Sequence, residues 1–246
     1  MKLLVDIHSH STISQHAYST IDENVRSAAE KGIELLALTD HAPGMPHAAP
    51  RAFFANYHVL PKTLHGVELL RGAELNIMDY NGTLDLDEAI LSTLDITIAS
   101  LHPPCIPFGS KRENTNALIK TMENPFVDIL GHPGDPRYEI DVEAVFQAAK
   151  DTQCILEINN ASLDPKGFRT GSDKYISEFI KLCMRDGVPV VIGSDAHFYT
   201  QIGNFSYVLD LMNTLGFPKE LILNTSPERL KGALKRNSLN NFTTQG

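Results

Sequence analysis

The chain has 246 residues, of which 42% are hydrophobic and 21% charged, and these values fit one large globular domain spanning residues 1–246. Its formal charge of −9 argues against the clustered basic surface that nucleic-acid binding requires. The three cysteines, Cys105, Cys154 and Cys183, form no CxxC pair, so neither a disulfide framework nor a cysteine zinc site is predicted.

The start of the chain, Met1 to Asp6, lacks the apolar run of a signal peptide. No stretch of the sequence approaches the ~20 apolar residues of a membrane span. We therefore expect a cytoplasmic protein without a membrane partner. The sequence leaves the oligomeric state open, a homo-oligomer included.

Short β-like runs recur along the chain and alternate with helix-like segments. Their apolar composition predicts strands, and their regular spacing predicts successive strand–helix units. Seven strands are predicted, at Leu3 to Val5, Glu34 to Leu38, Leu69 to Arg71, Ile96 to Ala99, Val127 to Leu130, Cys154 to Ile158 and Val188 to Ile192.

Helix end signals mark several of the intervening segments. A capping box opens the first helix, which stops at Gly32, and single polar caps open the later ones. The last helix carries proline at its first position. The predicted caps are Thr20 with Glu23, Asp141 before 142–150, Ser172 before 173–185, and Ser226 before Pro227.

Strands that alternate with helices imply a mostly parallel sheet, which can lie open or close into a barrel. Residues with metal-binding side chains follow nearly every predicted strand. Ligands drawn from so many strands require carboxyl ends that converge around one centre, as those of a barrel do. The sequence therefore favours an α/β fold, a distorted (β/α)7 TIM-like barrel, over an open doubly wound sheet.

The metal-binding residue types form one pattern from the first strand to the last fifth of the chain. His8 and His10 alternate along a strand, so their side chains share a face and can reach one ion. Asp195 and His197 repeat that spacing. Imidazole and carboxylate bind zinc, manganese and iron(II), and the lack of a cysteine cluster favours an open catalytic site over a closed structural one. Single candidates follow other strands, at His16, His41, Glu74, His102 and His132.

Any one of these single histidines, taken alone, would more often be a surface or core residue than a ligand. Their common position at or just beyond predicted strand ends favours a shared site. The remaining histidines, His47, His58 and His65, lie in a loop or on helix-like segments and are expected to have no catalytic role.

These motifs resemble the PHP (polymerase and histidinol phosphatase) family over nearly the whole chain. Three further segments, 16–20, 136–141 and 157–160, resemble the YcdX-type phosphatase branch of that family. The segments that carry the family resemblance are Asp6 to His10, Thr39 to His41, Arg71 to Glu74, Leu101 to His102, Gly131 to Gly134 and Gly193 to His197.

The resemblance implies a seven-stranded barrel with three divalent metal ions, with zinc favoured and manganese or iron(II) as alternatives. All nine family ligand positions carry the expected residue types here. They are His8, His10, Glu74 and Asp195 for one ion, Glu74, His102 and His132 for a second, and His16, His41 and His197 for a third.

Two ions that share the Glu74 carboxylate would lie about 3.5–4 Å apart, the separation at which two-metal sites clamp the oxygens of an in-line displacement. A water bridging them would be acidified, and the hydroxide would attack phosphorus without a phospho-enzyme intermediate. The third ion would bind phosphate oxygens. Glu74 and Asp195 are thus predicted to serve catalysis as ligands.

Other candidates carry weaker signals. Asp40 is predicted either to orient a ligand imidazole or to donate a proton to the leaving group, with a helix cap as the structural alternative. Arg137, Lys166 and Arg169 lie in loops and are candidates for binding substrate, with solvated surface charge as the alternative. Asn160 is a candidate for orienting substrate or for capping a strand end.

We therefore expect a metal-dependent phosphatase that hydrolyses phosphate monoesters of a small phosphorylated molecule. The nearest alternative is a phosphodiesterase or nuclease, because the family resemblance extends to exonuclease-like modules of DNA polymerases. The sequence offers neither a basic groove nor tryptophan in support of it. An amidohydrolase-like barrel and a non-enzymatic, metal-stabilised fold are further alternatives. The natural substrate is left open.

Overall fold

Seven parallel strands with helices between them form a distorted (β/α)7 barrel, which confirms the predicted fold class. The computed structural model describes residues 2–236, so Met1 and residues 237–246 of the predicted domain lie outside it. The parallel strands are β1 (Val5–Asp6), β2 (Leu35–Leu38), β4 (Val67–Asn76), β5 (Ile96–Ser100), β6 (Ile129–Leu130), β7 (Ile155–Asn159) and β8 (Val190–Gly193), paired in that order.

An additional short strand, β3 (Thr63–Leu64), pairs antiparallel with the start of β4. Helices pack around the sheet and precede or follow its strands along the chain. They are α1 (Ile21–Glu30), α2 (Arg51–Ala55), α3 (Glu88–Leu91), α4 (Lys111–Met122), α5 (Val142–Thr152), α6 (Ser172–Asp186), α7 (Ser206–Leu215) and α8 (Pro227–Ala233). Within residues 2–236 no helix combines the length and apolar character that a membrane crossing needs.

The seven parallel strands are largely buried on both faces, which explains their apolar runs. Alternate residues separate into two clusters. Ile96, Ile98 and Ile129 belong to the small inner cluster of the barrel, whereas Ala99 and Leu130 belong to the larger cluster between the sheet and the helices. The period of two along each strand therefore builds both layers of the core.

Helix starts follow the predicted caps closely. The Thr20 and Glu23 capping box is present, and Asp141 accepts a hydrogen bond from the backbone of Ala144. The predicted cap at Ser172 is wrong by one residue, because Gly171 holds the cap position with a φ of 95° and Ser172 already begins α6. The Ser172 hydroxyl instead donates to the Arg169 carbonyl.

The largest strand error concerns β4, which was predicted at Leu69 to Arg71 and runs over ten residues. Charged residues and Gly72 interrupt its apolar pattern. The backbone nevertheless pairs with β2 through its first half and with β5 through its second half. Pairing on both sides stabilises this strand where side-chain composition does not predict one.

The barrel closes between β1 and β8 through side chains as well as backbone. The Asn224 amide nitrogen donates to the carbonyls of Val5 at 2.9 Å and Ile192 at 2.7 Å, and its oxygen accepts from the Ile192 N–H at 2.7 Å. Nearer the carboxyl ends, the Asp6 carboxylate accepts from the N–H groups of Ser194 and Gly203. The buried Asn224 amide thus provides hydrogen bonds that β1 and β8 would otherwise form directly with each other.

Replacing Asn224 with alanine is expected to lower the free energy of unfolding by about 2–4 kcal/mol, because three hydrogen bonds are lost and their partners stay buried. Denaturant unfolding measures this change. Asn213→Ala, on the exposed side of α7, is the matched control and should shift stability by about 0.5 kcal/mol or less. Equal effects of the two substitutions would contradict a closing role for Asn224.

Candidate metal centre

The structure brings all nine predicted metal-binding residues together at the carboxyl end of the barrel. Parallel strands end on the same side, so residues that follow different strands meet there. Glu74 lies within β4, and its neighbours come from the segments after β1, β2, β5, β6 and β8. The three other histidines lie apart from this cluster. His47 and His58 are exposed, and His65 pairs with Asp22 on the surface.

Glu74 is the centre of the cluster. Its Oε2 lies 3.3 Å from His8 Nε2, 3.4 Å from His10 Nε2 and 2.9 Å from His41 Nδ1. Its Oε1 lies 2.9 Å from His132 Nε2 and 3.2 Å from His102 Nε2. One carboxylate therefore contacts two groups of imidazoles, one with each oxygen.

Asp195 provides the second carboxylate of the site. Its Oδ1 lies 3.3 Å from His10 Nε2 and 3.6 Å from His8 Nε2. Its Oδ2 accepts from Arg169 Nη1 at 3.0 Å and from Asn159 Nδ2 at 3.3 Å. Asp195 thus joins the histidine cluster to a positively charged side chain.

Three histidines form the outer side of the cluster. The Nε2 atoms of His16 and His41 lie 3.3 Å apart, and the rings of His16 and His197 are 4.9 Å apart. The His197 Nδ1–H donates to the Asp195 carbonyl, which leaves its Nε2 lone pair available. This side opens to solvent, because His16 is exposed and the His197 side chain is 29% exposed, while His8 and His10 are fully buried.

The donor atoms fit divalent ions. Three sets of side chains place one donor atom each within 4.8 Å of one another: His8, His10 and Glu74; His41, Glu74 and His102; and His10, His41 and His197. Such buried polar atoms are costly without partners. Within residues 2–236, the buried atoms of this cluster that have no hydrogen-bond partner are His8 Nε2, His10 Nε2, His41 Nδ1, His102 Nε2 and Glu74 Oε2.

Protonation states also suit metal binding. Burial alone would raise the pKa of Glu74, but the imidazoles of His8, His102 and His41 hold it well below its ordinary value. Burial lowers the pKa of His10 and, together with His41 and His197, lowers the pKa of His16 to about 4. At neutral pH the carboxylate is therefore ionised and these imidazoles are neutral, the forms that bind metals.

Glu157 orients His8 and was not predicted as a site residue. Its Oε1 lies 2.7 Å from His8 Nδ1, and its Oε2 accepts from the His132 N–H at 2.8 Å. Burial alone would lower the pKa of His8, but Glu157, Glu74 and Asp195 raise it well above its ordinary value. A metal ion would take the place of the Nε2 proton. Position 193 must be glycine, because a Cβ there would overlap the Glu157 carboxylate.

Ser14 and Asp40 orient His10. The Ser14 hydroxyl donates its hydrogen to Asp40 Oδ1 at 2.7 Å, so it can only accept from His10 Nδ1 at 3.2 Å. The Asp40 carboxylate also accepts from the N–H and hydroxyl of Ser11. Asp40 is thus buried and bonded to two serines, and its predicted role in proton transfer stays a prediction.

Asn76 and Asp85 orient His102. Asn76 Nδ2 donates to the Ala42 carbonyl at 3.0 Å and to Asp85 Oδ2 at 2.6 Å, so its Oδ1 accepts from His102 Nδ1 at 2.8 Å. Asp85 also accepts from the N–H groups of Asn76 and Gly44. This fixes the His102 tautomer with a free Nε2. This role of Asp85 was not predicted, because a single Asp in a loop can serve many structural purposes.

The predicted substrate-binding residues occupy different positions. Arg169 contacts Asp195, as described above, and its Nε lies 3.8 Å from Asp135. Arg137 is paired with Asp135 at 2.6 Å and is partly exposed. Lys166 is exposed on the loop after β7. Asn160 is buried, and its Oδ1 accepts from the Val208 N–H of α7, whereas the neighbouring Asn159 contacts Asp195. Their roles toward substrate stay predictions.

Comparison with known proteins places this geometry in context. Residues 6–164 match the PHP domain family. A protein named probable phosphatase from Clostridium novyi (strain NT) is 46% identical over 235 residues, which is 96% of each chain. Another of that name, from Clostridium acetobutylicum, is 42% identical over 246 residues, which is 100% of each chain.

Among solved structures, the fold is similar to that of a histidinol phosphate phosphatase from Lactococcus lactis, which was crystallised with zinc, L-histidinol and phosphate. The TM-score is 0.56 with 18% sequence identity, over 87% of this chain and 94% of that one. At this identity the likeness concerns the fold alone.

Asp85→Asn is expected to weaken one bound ion selectively. Asparagine at position 85 offers one acceptor oxygen where the carboxylate accepts from Asn76 Nδ2, the Asn76 N–H and the Gly44 N–H. Its amide nitrogen must oppose at least one of these donors, so Asn76 Oδ1 would be held less firmly against His102 Nδ1. We expect one ion per chain to bind about 10–100-fold more weakly, as measured by zinc titration with elemental analysis.

The matched control is Asp87→Asn, two residues along, whose carboxylate pairs with Arg51 on the surface. It should leave zinc affinity unchanged. Unchanged zinc affinity in Asp85→Asn, or an equal loss of every ion, would show that Asp85 does not act through His102.

Proposed function

The chain belongs to the PHP domain family, and on that premise we propose that it is a metal-dependent phosphatase of one metallohydrolase domain that acts in the cytoplasm. Its substrate would be a phosphate monoester of a small molecule. The observation that carries this proposal is the buried Glu74 carboxylate, in contact with imidazole nitrogens on both of its oxygens.

We propose three ions, with zinc favoured and manganese or iron(II) as alternatives. Supporting observations are the shared contacts of Glu74, the buried donor atoms without partners and the zinc in the Lactococcus lactis protein. The proposed ligands are His8, His10, Glu74 and Asp195 for the first, Glu74, His102 and His132 for the second, and His16, His41 and His197 for the third.

When bound, the ions would supply the positive charge that acidifies an attacking water and neutralises the phosphate in the transition state. The protein's own groups hold the geometry for direct, in-line attack on phosphorus. Glu157, Ser14 and Asn76 keep hydrogens on the Nδ1 atoms of His8, His10 and His102, so the Nε2 lone pairs face inward. Arg169 Nη1 is bonded to Asp195 at 3.0 Å, and the remaining N–H groups of this guanidinium would donate to a phosphate oxygen.

A monoester is favoured over a diester by the charge of the chain and by its relatives. The formal charge is −9, and the two relatives compared above are named probable phosphatases. A nuclease would need a basic track for the backbone of its substrate. Arg137 does not provide free charge for such a track, because its guanidinium is paired with Asp135.

Replacing Glu74 with glutamine should reduce kcat/KM by about 100-fold or more, since residues that merely orient ligands already contribute about 10–100-fold. The loss follows because one side chain serves two ions. Steady-state kinetics on p-nitrophenyl phosphate, together with elemental analysis, measures both effects. His47→Asn is the matched control, because His47 is exposed at a φ of 65° that asparagine tolerates. If the two variants behaved alike, Glu74 would not bridge two ions.

Removal of metal should abolish turnover, and added Zn²⁺ or Mn²⁺ should restore it. The test uses protein purified without a metal-binding tag, with bound metal measured before and after chelation. About three ions per chain and faster cleavage of p-nitrophenyl phosphate than of bis-p-nitrophenyl phosphate are expected. Faster cleavage of the diester would favour the nuclease alternative, and activity retained after verified metal removal would reject the mechanism.

A further inference from the structure

Asp195 is shared between the proposed metal centre and a permanent positive charge. Its Oδ1 lies 3.3 Å from His10 Nε2 and 3.6 Å from His8 Nε2, the donor atoms proposed for the first ion. Its Oδ2 accepts from Arg169 Nη1 at 3.0 Å. The two oxygens of this carboxylate therefore serve different cations, the proposed ion on one side and a guanidinium on the other.

Within residues 2–236, this guanidinium is the one permanent cation that pairs with the carboxylates of the centre. The other partners of Glu74, Glu157 and Asp195 in ion pairs are histidines. The pair is shielded from solvent, because the side chain of Arg169 is 16% exposed and that of Asp195 is 5% exposed. Since arginine keeps its proton in proteins, it compensates the Asp195 charge with metal bound or removed.

Neighbouring side chains hold Arg169 in place. Its Nη1 also lies 3.3 Å from Ser162 Oγ, which donates its own hydrogen to Asn159 Oδ1 at 2.9 Å and so can only accept from Arg169. Asn159 Nδ2 in turn donates to Asp195 Oδ2 at 3.3 Å, which closes a ring of hydrogen bonds. The Nε of Arg169 faces the buried carboxylate of Asp135 at 3.8 Å. The positive charge thus stays beside Asp195 when an ion approaches Oδ1.

Two cations on one carboxylate compete for its lone pairs. An opposite charge within about 4–6 Å weakens the hold of a carboxylate on a proton by about 10–1,000-fold. A metal ion binds the same lone pairs as that proton, and Arg169 also repels its charge. In protein stripped of metal, by contrast, the guanidinium is favourable, because a buried carboxylate without a partner is strongly destabilising. The contact therefore stabilises the metal-free protein and opposes the ion.

We infer that Arg169 is a counter-cation for Asp195 that preserves the folded centre when metal is removed and weakens binding of the first ion by about tenfold. The inference rests on the metal centre of the proposed function and specifies how its loading is regulated. The first ion leaves and returns more readily than the complete burial of His8 and His10 suggests. The protein can lose and regain this ion without unfolding.

The test compares Arg169→Gln, which removes the charge but keeps an N–H donor, with Arg169→Lys, which keeps the charge. Zinc affinity is measured by titration against competing chelators with elemental analysis, and stability by thermal unfolding of metal-free protein. We expect Arg169→Gln to lower the Tm of the metal-free protein by about 5 °C or more and to bind one ion per chain about tenfold more tightly. Arg169→Lys should stay close to the unsubstituted protein in both measurements.

Lys174→Gln is the matched control, because it removes the same charge from the exposed first turn of α6, away from the proposed ligands. It should change neither measurement. Weaker zinc binding in Arg169→Gln would show that Arg169 only orients Asp195, and an unchanged Tm would show that Asp195 needs no counter-cation. Either result overturns the inference, as would equal behaviour of the glutamine and lysine variants.

Turnover separates this inference from the proposed function. Opposite changes in metal-free stability and zinc affinity, without hydrolysis of p-nitrophenyl phosphate by the unsubstituted protein, would support the counter-cation and reject the phosphatase. Hydrolysis by the unsubstituted protein, with neither change in Arg169→Gln, would support the phosphatase and reject the counter-cation. Absence of any bound zinc after titration would overturn both.

Discussion

One buried carboxylate sets the conditions for the rest of this structure. Glu74 lies near the carboxyl end of β4, where the backbone pairs with His41 beyond β2 on one side and with Ile98 of β5 on the other. An ionised carboxylate in such a position costs roughly several kcal/mol unless it is paired. Here imidazoles approach both oxygens, and the Ser100 hydroxyl donates to Oε1 at 2.7 Å. The fold can bury this charge only because four segments, at or just after the ends of β1, β2, β5 and β6, place partners at one point.

The imidazoles in turn depend on a second layer of buried acceptors. A neutral imidazole presents one lone pair, and a hydrogen bond at Nδ1 decides that this lone pair lies on Nε2. Glu157, Ser14 and Asn76 provide this bond for His8, His10 and His102. Each acceptor is itself fixed by another buried group, so the geometry of the centre extends well into the core.

The sequence predicted the strands, the helices and the positions of the histidines better than the hydrogen bonds that orient these histidines. Alternating strands and helices indicated the barrel, and the placement of histidines after strands indicated that they converge. Among the groups that orient those histidines, the sequence suggested Asp40 but neither Glu157 nor Asp85. Glu157 lies inside a strand and Asp85 in a loop, and neither position distinguishes a buried acceptor from a solvated charge. Only the register of neighbouring strands brings Glu157 beside His8, and register depends on tertiary packing.

The backbone conformation of two ligand residues adds a constraint that the amino-acid sequence does not reveal. His132 and Asp195 have φ values of 27° and 55°, a region that non-glycine residues rarely adopt. Such positions cost of order 1–3 kcal/mol each and persist only where surrounding contacts hold them. The His132 N–H donates to Glu157, and the Asp195 N–H donates to the His8 carbonyl. Glu157 therefore both orients His8 and holds the strained turn at His132. Because His8 contacts Oε2 of Glu74 and His132 contacts Oε1, Glu157 connects the two groups of histidines through the protein, in addition to their shared contact with Glu74.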